Sequence, residues 1–596
     1  MLSYAGYGQT DSLSGEFSEI VIHEQRLGIP FKQTSRSIDV VTAEIIAESP
    51  ANNVAELLND VAGIDVRQRG PNGVQSDVGI RGGTFDQTLI LINGIKVADP
   101  QTGHHNMNIP VAIEDIERIE VLKGPAARIY GLNGFAGAIN IVTKKPANNE
   151  ITIGVHTGDH QLIDTRVGIS NTIGNYGHSA SYSRNASEGY KFNTDYEIEH
   201  FTYQGMLGSN GNQLNILATH SSRKFGANGF YASPAFVDQY EETHTSFVAL
   251  DYSKLIGGWY ISPKISYRRN EDDYVFLREN PSFFNNIHVS DVLNGELQAR
   301  SSNRLGIFQI GGEYNMLNLE SNNLGMRERN TATINAEQRI LLMDEKLDIT
   351  PGVSYSYFSD LDAKFFPGLD IGYEISNNFK VFGNAGYTYR VPTYTDLHYE
   401  DQGNLGNEDL QPEEALAMEI GVKYIKSNFT GQLAIFSRQG RDLIDWTKQN
   451  EEDKWQPFNV GDITTNGIEM SGQWRFHGTG KYGLTTLAAN YTFLDADQSD
   501  VEAFLSRYAL EHVKHQFSGR VAYHIGDIHH NIQLRYVDRV NLDNYTVVDT
   551  RLYFDTPSVR ISLNANNLFN QSYMETNLVE MPGRWVSVGA DIKIGY

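Results

Sequence analysis

Two textures of hydrophobic patterning divide the chain. From about Asn149 to Tyr596, apolar and polar residues alternate with a period of two, as in strands with two unlike faces. Val521, Tyr523 and Ile525 lead into a turn at Gly526-Asp527, and Ile532, Leu534 and Tyr536 follow it. Arg520, Ala522 and His524, then Asn531, Gln533 and Arg535, take the opposite face. Val548–Phe554 and Val559–Ala565 repeat the arrangement across Asp555-Thr556-Pro557-Ser558. Short turns alternate with long polar loops, the pattern of a barrel with one face toward lipid and the other toward a polar lumen. A soluble β-sandwich gives similar alternation but seldom so many strands in one array. At roughly 20 residues per strand and loop, the span holds about 22 strands, the size that encloses a plugged lumen.

Before residue 149 the pattern differs. Three short apolar runs, Thr88–Ile92, Ile116–Leu122 and Gly137–Thr143, are each bounded by Gly, Asn or Pro and predict a small sheet. Asn93-Gly94 marks a two-residue hairpin turn. Ser49-Pro50 is expected to open a helix, with Ser as N-cap and Pro in the first turn. Val54, Leu57, Leu58 and Val61 give that helix one apolar face, which is core, and Gly63 ends it. Strands at Ser37–Val41 and Gly63–Arg67 complete a strand–helix–strand unit feeding the sheet. Gln68–Asp77 and Ala98–Asn108 are polar and rich in Gly and Pro, so they read as loops.

Several phrases in this region carry a resemblance in their order and spacing. They are Ile80-Arg81-Gly82, Leu91-Ile92-Asn93-Gly94, Ile116-Glu117-Arg118-Ile119-Glu120-Val121-Leu122-Lys123-Gly124-Pro125, Tyr130-Gly131 and Gly137-Ala138-Ile139-Asn140-Ile141-Val142-Thr143-Lys144. Together they resemble the plug domain of TonB-dependent outer-membrane receptors. Tyr389-Arg390-Val391-Pro392, Gly406–Glu413, Met418–Lys423, Asn466-Gly467-Ile468-Glu469 and Asn567–Tyr573 resemble the barrel of the same family. The last strand puts Val586, Val588, Ala590, Ile592, Ile594 and Tyr596 on one face, similar to the family's C-terminal insertion signal with Tyr where Phe is commoner. The implied fold is an all-β transmembrane barrel of about 22 antiparallel strands whose lumen is filled by an N-terminal α+β plug. The implied domains are a flexible stretch at 1–18, a TonB-binding box and linker at 19–30, a plug at 31–148 and a barrel at 149–596.

Composition changes this picture little. Apolar residues make up 40% and no apolar run approaches the roughly 18–20 residues of a membrane helix, but alternating barrel strands dilute hydropathy in any case. Tyr (32), Phe (28) and Gly (55) against 17 Pro favour many strands and turns. A net charge of −25 argues against a nucleic-acid partner. Zero Cys removes disulfides, thiolate metal sites and Cys nucleophiles. No GxSxG, Walker loop or HExxH occurs, so no catalytic constellation argues for an enzyme. The start, Met1–Ser18, lacks a positive n-region and a full apolar core; Leu2–Gly8 reads as the tail of a signal whose beginning lies upstream.

The candidate sites fall in four places. Glu19, Ile20, Val21, Ile22, His23 and Glu24 form an isolated β-prone segment suited to adding itself to a partner's sheet edge. By resemblance this is the box gripped by TonB; the alternative is an ordinary first strand of the plug. The two polar loops, in the plug arrangement the resemblance implies, form an outward apex with Arg69, Pro71, Asn72, Gln75, Gln101, His104, His105 and Asn106 as substrate contacts. His104 and His105 are adjacent and point apart, which disfavours a shared metal site. Arg81 and Lys123, with Glu419 and Glu469, are implied to form a charge cluster locking plug to barrel. Lys123 stands where the family usually has a second Arg, and Lys cannot form a planar fork.

No cofactor or metal is expected, apart from weak calcium binding at extracellular loops, for which Asp495–Asp500 and Glu271-Asp272-Asp273 are the candidates against plain solvated acidic loops. The partners implied are TonB, a small-molecule nutrient complex, outer-membrane lipid and lipopolysaccharide around a monomeric barrel, and in some cases a surface lipoprotein. The phrases look closest to the cobalamin-receptor branch, with ferric-siderophore receptors next, and His398 also permits haem. A passive plugged channel or surface-binding protein is the alternative of another class.

Overall fold

A computed structural model describes residues 27–209, 211–231, 234–450, 452–476, 482–497, 505–507, 512–576 and 579–596. Glu19–Glu24 and the N-terminal stretch lie outside the described residues.

Residues 150–595 supply a closed barrel of 22 antiparallel strands, each paired with its neighbours around the ring. The strand Trp585–Gly595 pairs with Glu150–Gly158, so the last strand closes on the first. Alternation decides which side chains face outward. Val167, Ile169, Ile265, Leu297, Ile334 and Ile420 are exposed on the outer surface, whereas Thr245, Asn270, Ser290, Gln309 and Asn335 are buried on the lumen side. This inversion of the soluble pattern follows from the solvent: lipid takes the apolar face, and a filled lumen takes the polar one. One end carries short turns such as Gly526-Asp527 and Gly257-Gly258, and the other carries the long connections, including 276–284, 391–412 and 442–462.

The plug occupies the lumen. Its main sheet has five strands in the order β1-β6-β7-β4-β5, where β1 is Ile38–Thr42, β4 Thr88–Ile92, β5 Ile95–Lys96, β6 Ile116–Lys123 and β7 Gly137–Thr143. Asn93 and Gly94 both adopt positive φ (51° and 76°), as a tight β4–β5 hairpin demands. Leu58, Ile64, Ile80, Ile92, Ile119 and Ile141 form the centre of the core, each fully buried.

Three expectations are corrected. Ser49-Pro50 does not open the helix. Pro disfavours the helical conformation in the residue before it, so Ser49 is extended and caps the C-terminus of a short helix, α1 (Ala43–Glu48). The next helix, α2 (Val54–Leu58), starts at Asn53, whose side chain accepts from Glu56 N. Val54, Leu57, Leu58 and Val61 are buried as its face predicts. Second, β2 (Ile64–Gln68) does not join the main sheet; it pairs only with β3 (Ser76–Ile80) as a separate hairpin. Third, Glu271-Asp272-Asp273 is not a loop but part of the barrel strand Trp259–Val275. Alternation buries Asp272 in the lumen and leaves Asp273 exposed, so the three carboxylates do not converge. Asp495 and Asp497 end another barrel strand, and the rest of that acidic stretch falls outside the described residues.

Candidate functional site

Above the plug, at the long-loop end, lies an open vestibule of about 1280 Å³. Its floor is plug: Gln75, Phe85, Asp86, Gln101, His104 and His105. Its walls come from barrel strands and loops, with Tyr231, Tyr274, Phe276, Phe284, Tyr399 and Trp446 supplying aromatic surface. Arg69 and His104 also line an adjoining recess with Phe230, Trp455 and Arg507.

The floor is rigidly built. Thr102 starts a single helical turn, Gly103–His105, which sends the two imidazoles in different directions. His104 Nδ1 lies 2.6 Å from Asp77 Oδ1, and its ring stacks on Phe85 at 4.1 Å. His105 Nε2 lies 3.1 Å from Asp272 Oδ2 on the barrel wall. Burial pulls His104 below the usual imidazole range, and Asp77 only partly opposes it. Burial would lower His105 as well, but Asp272, then Asp99 and Glu241, outweigh it and push the group up to about 9. Gln101 Nε2 donates to Asp272 at 2.8 Å, and Arg69 Nη1 pairs with Asp77 at 3.1 Å.

Three expected apex residues are placed elsewhere. Pro71 and Asn72 line a separate cavity between plug and barrel, and Asn72 Nδ2 donates to the Tyr196 hydroxyl. Asn106 is buried, its side chain accepting from Asp99 N at 3.0 Å and thereby fixing the loop. The reason is local: Asn72 takes a left-handed conformation (φ 52°) in a tight turn after Gly70, which directs it sideways.

Below the floor, the structure brings Arg81, Lys123, Glu419 and Glu469 together. Arg81 has positive φ (52°) beside Gly82 and spans two barrel carboxylates. Its Nη2 lies 2.5 Å from Glu419 Oε2 and 2.9 Å from Glu469 Oε2, and its Nε donates to Glu469 Oε1 at 3.0 Å. The guanidinium stacks over Phe436 at 4.1 Å, on the strand between the two carboxylates. Lys123 Nζ reaches Glu469 at 3.2 Å and Asp39 at 2.5 Å, so Asp39 is a fifth member. Gly63 permits the approach, because a Cβ there would sit 1.8 Å from Glu469 Oε1.

A second set of plug–barrel contacts lies toward the short-turn end. Arg36 forks onto Asp370 (2.9 and 3.0 Å), Arg128 joins Asp370 at 2.5 Å and Glu337 at 2.7 Å, and Ser35 donates to Asp348 at 2.6 Å. Lys380 Nζ and Arg300 Nη1 donate to the backbone oxygens of Gln33 and Leu27. The strap 27–37 is thus tied to the barrel along its length. A third set, at the loop end, centres on Arg390, which contacts Glu413, Asp396 and Asp86 at 3.0, 2.7 and 3.4 Å. Sequence reasoning quoted Arg390 only as part of a phrase and missed the strap, because its ionic partners lie some 300 residues away in no motif.

Comparison with known proteins agrees with this architecture. Residues 157–568 match the family described as TonB dependent receptor-like, beta-barrel, and residues 30–138 match the TonB-dependent receptor plug domain. The chain is 23% identical over 581 residues to the vitamin B12 transporter BtuB of Photobacterium profundum, covering 93% of this chain and 92% of the relative. It is 24% identical over 489 residues to the vitamin B12 transporter BtuB of Vibrio vulnificus, covering 77% and 76%. Among solved structures, the siderophore receptor PirA from Pseudomonas aeruginosa superposes with a TM-score of 0.74 at 18% identity, over 94% of this chain and 100% of that one. The FrpB iron transporter from Neisseria meningitidis gives 0.77 at 15% identity, over 94% and 99%.

Proposed function

Since this chain belongs to the TonB-dependent receptors of the Gram-negative outer membrane, we propose that it actively imports a scarce, large nutrient complex, a corrinoid such as cobalamin. The observation that carries this reading is the vestibule: about 1280 Å³ of open space floored by plug and walled by aromatic barrel residues. That exceeds the roughly 300–1,000 Å³ typical of a drug-sized ligand site. Similarity to vitamin B12 transporters along almost the whole chain selects corrinoids among large complexes.

The mechanism follows from the parts. A ligand captured by the loops rests on Gln75, Gln101 and His104, while the plug closes the lumen beneath it. Equilibrium binding does no work, so accumulation needs force from elsewhere. TonB supplies it by strand addition at Glu19–Glu24, where hydrogen bonds pulled end-on share the load. The strap 27–37 is the next segment in line. Ion pairs in a wet lumen yield stepwise, whereas a greasy interface would release all at once.

Binding of cyanocobalamin, haem and ferric siderophores to the purified protein tests the substrate. Saturable cyanocobalamin binding with neither competitor supports the reading, and exclusive ferric-siderophore or haem binding replaces it. Uptake that survives deletion of Glu19–Glu24 would point to a passive channel.

A further inference from the structure

We propose that His105, Glu241 and Asp272, with His288 as a fourth donor, form a binding site for a divalent transition-metal ion between plug and barrel wall. This goes beyond the corrinoid reading and does not rest on it.

The barrel half of the site is set by strand register. Glu241, Asp272 and His288 lie on three consecutive strands, Tyr240–Ile256, Trp259–Val275 and Asn285–Asn303. Asp272 sits directly opposite Thr243 on one side and His288 on the other. Glu241 shares a face with Thr243, two residues along, which makes it the diagonal neighbour of Asp272. All three side chains point into the lumen and are buried, at 2%, 4% and 3% exposure. The plug contributes His105 from above. The ligating atoms of His105, Glu241 and Asp272 all lie within 4.8 Å of one another. Donors bound at about 2.0–2.2 Å stand at most about 4.3 Å apart, so a small closing of side chains completes a coordination sphere.

Two unsatisfied atoms point to an occupant. Asp272 Oδ2 accepts from both Gln101 and His105, while Asp272 Oδ1 is buried with no hydrogen-bond partner. His288 Nδ1 is likewise buried and unpartnered, on a ring facing the same cavity. Buried acceptors are normally satisfied, and a metal ion would satisfy both. Charge agrees. Among the described residues, Arg268 takes Asp99 (2.7 Å) and Arg69 takes Asp77, but no Lys or Arg ion pair reaches Glu241 or Asp272.

A supporting shell holds the donors. The Tyr231 hydroxyl donates to Glu241 Oε2, Gln101 to Asp272, and Asn108 Nδ2 lies 3.0 Å from His105 Nδ1. Imidazole together with carboxylates suits Zn²⁺ or Co²⁺; an all-oxygen set would be expected for Ca²⁺ and sulfur for Cu(I). His104 takes no part, being turned onto Asp77 and Phe85.

The test is titration of the chelator-stripped, full-length protein in detergent with Co²⁺, followed by visible absorption, and with Zn²⁺, followed by calorimetry. The expected result is a single saturable site whose Co²⁺ bands Zn²⁺ displaces. Glu241→Gln/Asp272→Asn should abolish those bands, and His288→Ala should weaken binding about 10–100-fold. His105→Ala, on the plug, should also abolish them, which guards against a barrel that has failed to assemble; heat-modifiable migration on gels checks assembly of each variant. Wild-type protein that takes up neither ion saturably would overturn the proposal, as would an unchanged Co²⁺ spectrum in assembled Glu241→Gln/Asp272→Asn.

Discussion

Arg81 grips Glu469 through two parallel bonds, Nε to Oε1 at 3.0 Å and Nη2 to Oε2 at 2.9 Å, with both side chains almost fully buried. Removing one partner of such a pair leaves the other as an uncompensated buried charge. Glu469→Ala, which strands both Arg81 and Lys123, should therefore destabilise plug docking by about 3–5 kcal/mol. Arg81→Lys keeps the charge and loses the fork, so its cost should be smaller. Denaturant titration followed by hydrogen exchange in the plug would rank the two; a larger loss for Arg81→Lys would show that the fork, not the charge balance, governs docking.

The strap should loosen separately from this cluster. Asp370 holds both Arg36 and Arg128, and Arg36 is fully buried. In Asp370→Asn, amide exchange across residues 34–37 is expected to rise, with the Arg81 region unchanged. Equal exchange in both proteins would mean that backbone contacts to Lys380 and Lys423 alone retain the strap.

Acid should weaken one plug–barrel contact in a defined direction. Burial alone would raise Asp65, but Arg539 on the barrel, then Arg67, outweigh it and hold the carboxyl below its usual range. A carboxyl so depressed adds stability that is complete above its unfolded value, about 3.9, and fades as pH falls through the folded one. The stability difference between wild type and Asp65→Asn should therefore be greatest near neutrality and shrink on acidification below about pH 4. Taking the difference matters, because Glu56 and Asp60, pushed up by burial to about 7 and about 6, respond to acid in the opposite sense. A difference that stays constant from neutral to acid pH would remove Asp65 from the account.

Much of this was legible in the chain, for physical reasons that differ by element. Lipid on one side and a packed lumen on the other force the period-two alternation, so the pairing of Val513–Ile525 with Ile528–Arg539 about Gly526-Asp527 follows directly. The β4–β5 turn was legible because only residues tolerant of positive φ fit it. Ser49-Pro50 misled because the same pair that can begin a helix also ends one. The apex was only partly legible: the loops were evident, but the backbone that turns Asn72 aside depends on packing against Tyr196. Arg36 and Asp370, separated by 334 positions, could not be paired by any local rule.

The vestibule floor gives a fourth expectation. Replacing Gln68–Asp77 and Ala98–Asn108 together by Gly/Ser linkers removes Gln75, Gln101, His104 and His105 from beneath the ligand. Tight cyanocobalamin binding should be lost while gel migration still reports an assembled barrel. Undiminished affinity would move recognition wholly to the barrel loops.

The pairing of Trp585–Gly595 with Glu150–Gly158 has a consequence for biogenesis. Until the final eleven-residue strand is in place, the sheet is an open ribbon with two unsatisfied edges. Closure is therefore the last event of synthesis, and it coincides with enclosure of the plug, which is already made. A chain that stops short of residue 585 would retain every other strand yet present both edges to its neighbours, and it should be found in quality-control fractions and not in the membrane.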